Sequence, residues 1–396
     1  MATQEEGRSR DKHRLAIEIA RGQALMARFG YAAPKTTEAF ARARMLAEKV
    51  GDARSLFHVD WGQWQVSNVQ ADLPDALARG RRVLAACDPD DPADIRPLAH
   101  RLVGSPLVAM GRFAEAVAHL RESLACYDPD RHADHTRRFG SDTRAVSLIW
   151  LASARWFQGA VDAALTDMEA SLAFVRQLDN AFARCQGLGH IGVLRALIDP
   201  AGADGCVAEL LASTQRHGVQ FFQAVGHGLR TGVRTAQGDH LGALDDAARA
   251  REGFSRTGAR IFQPLVLNFA AQAQMALGRF DDAAATLVDI DAMIEAGQRW
   301  GEAETRHVEG DLMLARGDAV AAEACWRNAI AVAQAQGAAS WELRATTRLA
   351  RLLIDRGATN DAAILLAQAL KKIDGASDTP DLVLATTMLR EVGATL

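Results

Sequence analysis

The 396-residue sequence predicts an all-α fold: a right-handed superhelical solenoid of about nine helix pairs, stacked at a period near 40 residues. Three observations lead there. Alanine supplies 78 positions, against ten prolines and two tyrosines, a composition that suits helices and is poor in what sheets prefer. Glycines recur between apolar helical segments at Gly111, Gly159, Gly238, Gly278, Gly317 and Gly357, with spacings of 48, 79, 40, 39 and 40. Five residues after each such turn stands a small side chain, at Ala116, Ala164, Ala243, Ala283, Ala322 and Ala362.

Each element follows from this register. A glycine lets the first helix of a pair end and reverse. The alanine sits where the two helices cross most closely. Upstream, Ala71 occupies the turn position and is followed by Ala76, and Gly30 takes the same place one repeat earlier. The gap of 79 is two periods, with a degenerate turn near Asp199-Pro200. Helices are expected over 12–29, 35–50, 54–69, 73–87, 94–109, 113–127, 142–158, 161–177, 180–196, 203–217, 220–236, 240–256, 259–276, 280–296, 299–315, 319–335, 340–355, 359–373 and 380–392. Second helices carry apolar stripes such as Ala116, Leu120 and Leu124, or Ala322, Trp326 and Ile330. The acidic stretch Asp88–Asp94 reads as a turn that caps the next helix, and Ser340 as the cap of a helix starting at Trp341. The helix after Pro380 has no pair and is expected to cap the array over 380–396. First helices are expected to line the concave side, which makes that surface the place to look for a partner.

One repeat is too long. The spacing of 48 between Gly111 and Gly159 places about eight extra residues in 128–141, read as an insertion loop on one face. Arg131, Arg137 and Arg138 in it suit a carboxylate or phosphate, and His132 lies near Asp142. Trp61 and Trp64 share a helix face and stand beside Gln65 and Asn68. They can line a groove with Trp150, or pack between repeats. These eight residues, Trp61, Trp64, Arg131, His132, Arg137, Arg138, Asp142 and Trp150, are the candidate ligand- or partner-binding set.

Several classes are disfavoured. Forty-five basic against 49 acidic residues leave a formal net charge of -4, which gives no footprint for nucleic acid. No 18-residue window is apolar enough to span a bilayer. The N-terminus lacks the apolar core of a secretory signal, and the five cysteines form no C-x-x-C pair, so a cytoplasmic location is expected. Gly187-Leu-Gly-His-Ile-Gly192 matches a dinucleotide-binding pattern but sits within a helical reading, where its glycines serve close packing. No catalytic, metal or cofactor site is assigned.

Four stretches carry a family resemblance: Ala24–Pro34 with Ala39–Arg44; Trp61-Gly-Gln-Trp64; Tyr127-Asp-Pro129 with His132 and Phe139–Asp142; and Ala322–Ala345 running on to Leu349–Arg351 and Asp378–Leu382. In these the chain resembles the tetratricopeptide-type C-terminal region of bacterial regulators that combine an adenylate/guanylate cyclase domain with a signal-transduction ATPase. It resembles more loosely the helical sensor region of the maltose-regulator class. The catalytic modules of those regulators are missing from this sequence, and Asp142 is followed by Thr143-Arg144 where the relatives continue Asp-Pro-Gly. The resemblance implies tetratricopeptide-like helix pairs and a regulatory role without catalysis. The leading expectation is a scaffold that binds a protein or peptide on its concave face. The alternatives are a small-effector sensor with a closed cavity around Trp61, Trp64, Arg138 and Trp150, and an enzyme built on residues 128–142. Homo-oligomerisation through the terminal repeats stays open.

Overall fold

The computed structural model describes residues 2–51, 53–88, 95–132 and 134–393. The capping turn expected over 88–94 lies, from residue 89 on, outside them. Nine helix pairs appear among the described residues. They are α1 (Ala2–Phe29) with α2 (Pro34–Val50), α3 (Ala53–Val69) with α4 (Leu73–Ala85), and α5 (Arg96–Ala109) with α6 (Phe113–Ala125). Two short helices follow, α7 (Pro129–His132) and α8 (His135–Phe139). Then come α9 (Thr143–Phe157) with α10 (Val161–Arg176), α11 (Ala181–Ile198) with α12 (Asp204–His217), and α13 (Gln220–Ala236) with α14 (His240–Thr257). The last three pairs are α15 (Gln263–Ala276) with α16 (Phe280–Glu295), α17 (Glu302–Ala315) with α18 (Ala319–Gln336), and α19 (Ala339–Asp355) with α20 (Thr359–Leu370). Helix α21 (Pro380–Glu391) lays Ala385, Met388 and Leu389 into the apolar cluster of α19 and α20.

The turn chemistry is as the sequence dictates. All six spaced glycines have positive φ, and so does Ala71 at +62°, alone among the non-glycine residues described. The seven alanines Ala76, Ala116, Ala164, Ala243, Ala283, Ala322 and Ala362 are each 0% exposed. Asp72, Asp142, Asn180, Asp239 and Asp318 accept the first free N–H groups of α4, α9, α11, α14 and α18. Gly187, Gly189 and Gly192 lie inside α11, where an added Cβ would strike Val175, Phe222 and Leu229. Close helix packing is therefore their role. Gly278 is different: its φ is +72° and nothing lies within 4 Å of an added Cβ. Gly278→Ala is expected to cost only about 1 kcal/mol by urea unfolding, the left-handed penalty alone, as Ala71 already shows to be tolerable.

The superhelix closes on itself. The Val69 carbonyl accepts from the N–H groups of Arg260 and Ile261 at 2.8 and 3.2 Å. The Ala109 carbonyl accepts from Arg299 and Trp300 at 2.9 and 3.2 Å. Asp374 N–H donates to the Gly159 carbonyl at 2.8 Å, and Val161 N–H returns a bond to Asp374. Ser340 Oγ donates to the Trp156 carbonyl, so this serine lies inside α19 and ties two turns together; the expected cap is not its role. These partners stand between 184 and 215 residues apart, about five helix pairs. Closure buries much of the concave face that an open solenoid would expose. Phe157, Trp300 and Trp341 meet there, with ring centroids 6.1 Å apart for Phe157–Trp300 and 5.8 Å for Phe157–Trp341. Trp156 meets Trp341 edge-on at 5.0 Å.

Candidate functional site

The eight candidate residues separate into three groups. Trp64 and Trp150 line one cavity on the superhelical axis. Trp64 Nε1 donates to the Leu102 carbonyl at 2.9 Å, which fixes its ring against α5. Trp61 faces away from that cavity and packs on Phe40 and Phe139 at 6.5 and 5.7 Å.

The insertion residues form the second group. The segment read as a loop holds α7 and α8, and Phe139 at the end of α8 seats it against α3. Phe139 is fully buried against Phe57, His58 and Trp61. His132 and His135 are buried with ring centroids 4.8 Å apart. Burial pushes His135 down to about 4, so it is neutral at pH 7. Asp142 accepts from Ala145 N–H at 2.8 Å as the cap of α9, and its carboxyl is raised by burial. Arg138 lies 5.0 Å over Phe139 and 3.6 Å from Asp134. Arg131 and Arg137, the third group, are exposed on the outside of the insertion. The structure therefore does not bring the arginines of the insertion together with Trp64 and Trp150. Among the described residues no three His, Cys, Asp or Glu side chains converge on a metal position.

Two concave features are built from first helices. The larger is a groove of about 490 Å³ in the second half of the array. Its wall comes from Phe269, Gln272 and Met275 of α15, Glu304, His307 and Asp311 of α17, and Arg344, Thr347 and Arg348 of α19. Ile198, Pro200, Asp381 and Leu384 complete its lining. Arg344 anchors it. Its Nε and Nη2 reach Asp381 at 3.0 and 2.8 Å, Nη1 reaches Glu304 at 3.3 Å, and Nη2 also donates to the Leu197 carbonyl at 2.7 Å. Burial alone would raise Glu304, but Arg344 and His307 beside it hold the carboxyl down at about 2.

The smaller feature is an axial cavity of about 30 Å³. Tyr31, Trp64, Trp150, His190 and Phe222 form its aromatic wall, and Gln65, Asn68, Arg101 and Gln186 its polar one. Burial pushes His190 down to about 4, and it stays neutral. Sequence reading found Trp64 and Trp150 but missed Arg101. The available signal was a cation inside the apolar stripe Leu98, Arg101, Leu102, Ser105 of α5.

Neither a protein-family model nor a curated protein matches the sequence. Solved structures do. A Rap protein complexed with Competence and Sporulation Factor aligns with a TM-score of 0.59 at 11% identity, over 90% of this chain and 97% of that one. The apo form of RapI aligns with a TM-score of 0.45 at 9% identity, over 90% and 98%. A signal-transduction ATPase with numerous domains from Pyrococcus horikoshii, which carries a tetratricopeptide repeat sensor, gives 0.44 at 13% identity, over 85% of this chain and 52% of that one. The first of these shows the fold: the chain is a tetratricopeptide-like α-solenoid. No helix of the described residues is long and apolar enough to cross a membrane.

Proposed function

We propose that this chain is a non-enzymatic, tetratricopeptide-like binding module that takes a protein or peptide segment in the groove between α15, α17, α19 and α21. One observation carries the reading: a groove of about 490 Å³ is lined by the successive first helices α15, α17 and α19 and mixes apolar with charged walls. Phe269, Met275 and Leu384 offer apolar contact, while Arg348 and Asp311, paired at 3.4 Å near the rim, can exchange partners with an incoming chain. The similar Rap protein was solved as a complex with Competence and Sporulation Factor, which supports a binding role for this fold. The resemblance to the helical tail of cyclase–ATPase regulators supports a place in signal transduction.

Gln272→Trp, which fills the groove, is expected to weaken a partner captured from source lysate at least tenfold (about 1.4 kcal/mol). A photo-crosslinker at Gln272 should label that partner, and one at the exposed Val320 of α18 should not. Equal labelling from both positions, with capture unaffected by Gln272→Trp, removes the groove as the site.

A further inference from the structure

Arg101 holds a charge that the fold leaves unanswered. It is 2% exposed. Its Nη1 donates to Ser141 Oγ at 3.3 Å, while Nε and Nη2 have no partner. Asp142, the carboxylate whose field reaches it, is occupied by Ala145 N–H and Thr136 Oγ1. Burial draws the guanidinium down to about 10, so it is still a cation at pH 7. A buried cation with two free donors is expensive to keep, and a hydrophobic side chain there would be cheaper for folding alone.

The same wall carries three more orphaned polar atoms: Gln65 Nε2, Asn68 Oδ1 and Gln186 Oε1. Together they make a donor side, from Arg101 and Gln65, and an acceptor side, from Asn68 and Gln186. The guanidinium fork suits the two oxygens of a carboxylate. The two amide oxygens suit an ammonium or amide N–H next to it. A second void of about 10 Å³ shares Trp150, Ile261 and Phe262 with the first and is lined by Val108, Phe157, Val193 and Trp300, an apolar continuation. The first void holds only about two waters' worth of space, so an occupant larger than that parts the walls. Ile261 and Phe262 belong to the next superhelical turn, so such an occupant bridges both turns.

We propose that the axial cavity is a recognition site for an α-amino acid carboxylate with an apolar side chain, either free or at the C-terminus of a peptide. The carboxylate sits on Arg101 and Gln65, the adjacent nitrogen on Asn68 and Gln186, and the side chain against Phe157 and Trp300. This site is distinct from the groove, and its test needs no groove partner.

Calorimetry and thermal shift on the full chain use L-leucine, leucinamide, 4-methylpentanoate, Gly-Gly-Leu and Gly-Gly-Leu-amide. Expected is binding by at least one of leucine and Gly-Gly-Leu, with the amides at least tenfold weaker. Binding by leucine assigns a free amino acid; binding by the tripeptide alone assigns a chain terminus. Arg101→Gln should abolish the shift and leave the unliganded chain as stable or more so. Asn68→Leu should erase the preference of the binding probe over 4-methylpentanoate, a readout that stands even where the arginine variant misfolds. No binding by any carboxylate probe, equal binding of acids and amides, or unchanged binding by a folded Arg101→Gln chain overturns the proposal.

Discussion

Replacing Arg344 by methionine is expected to cost about 3–5 kcal/mol of stability, the range for stranding a buried charge. The guanidinium holds Asp381 and Glu304 at once and donates to the Leu197 carbonyl, which lies 147 residues away in the chain. It also stacks 4.7 Å over Trp341. Methionine fills similar volume, so the loss measures the charge, since packing is nearly preserved. Glu304 is then left buried with only His307 at 3.4 Å to answer it. Removing that carboxylate as well, in Arg344→Met with Glu304→Gln, should recover part of the loss, because the two residues share one interaction. Urea unfolding at pH 7 reads both.

The pH dependence gives an independent check. Burial opposes ionisation of Glu304, but Arg344 outweighs it and holds the folded-state value at about 2, below the ordinary 4.5. A depressed carboxylate contributes stability above its unfolded pKa and loses it as pH falls through the folded one. The native chain should therefore lose this contribution between about pH 4.5 and 2. Arg344→Met should flatten that part of the profile. A loss below about 1 kcal/mol with an unchanged acid limb would mean that the network is a solvated surface cluster.

What the sequence reveals and what it hides divide along physical lines. Turn position and close helix crossing are local properties, so Ala71 and the seven buried alanines could be placed from spacing. The helical face shared by Trp61 and Trp64 was legible too, but the side on which each ring lands depends on neighbours. Phe139 of the insertion takes one and the axial cavity the other. Superhelical pitch was not legible. It accumulates from small rotations over five pairs, and the loops that meet, such as Val69 with Arg260, have ordinary composition. The groove depends on it as well. Phe269, His307 and Thr347 stand about one period apart on successive first helices, yet nothing in their identities says that this part of the concave face stays open while Phe157 and Trp300 are covered.

Gly159→Val is expected to cost about 3–5 kcal/mol, combining the left-handed penalty with overpacking. Gly159 has φ of +87°, and an added Cβ would lie 2.8 Å from the Lys372 carbonyl oxygen and 2.9 Å from Ala339 Cβ. The first of these atoms is backbone and cannot swing aside. It belongs to the segment whose Asp374 N–H bonds the Gly159 carbonyl. Gly278→Val is the matched control, with the same turn geometry and open space around it. In an array whose repeats touch only their sequence neighbours, the two substitutions would cost the same. A difference of about 2 kcal/mol or more therefore measures closure itself. Hydrogen exchange should show the Asp374 and Val161 amides losing protection in Gly159→Val while those inside α9 and α10 keep it. Small-angle scattering should report a larger radius of gyration as the turns separate. Equal costs for the two valines, with the Asp374 amide unprotected even in the unsubstituted chain, would mean that the turns do not clasp in solution, and the packing of Phe157 on Trp300 and Trp341 that rests on their contact would have no support.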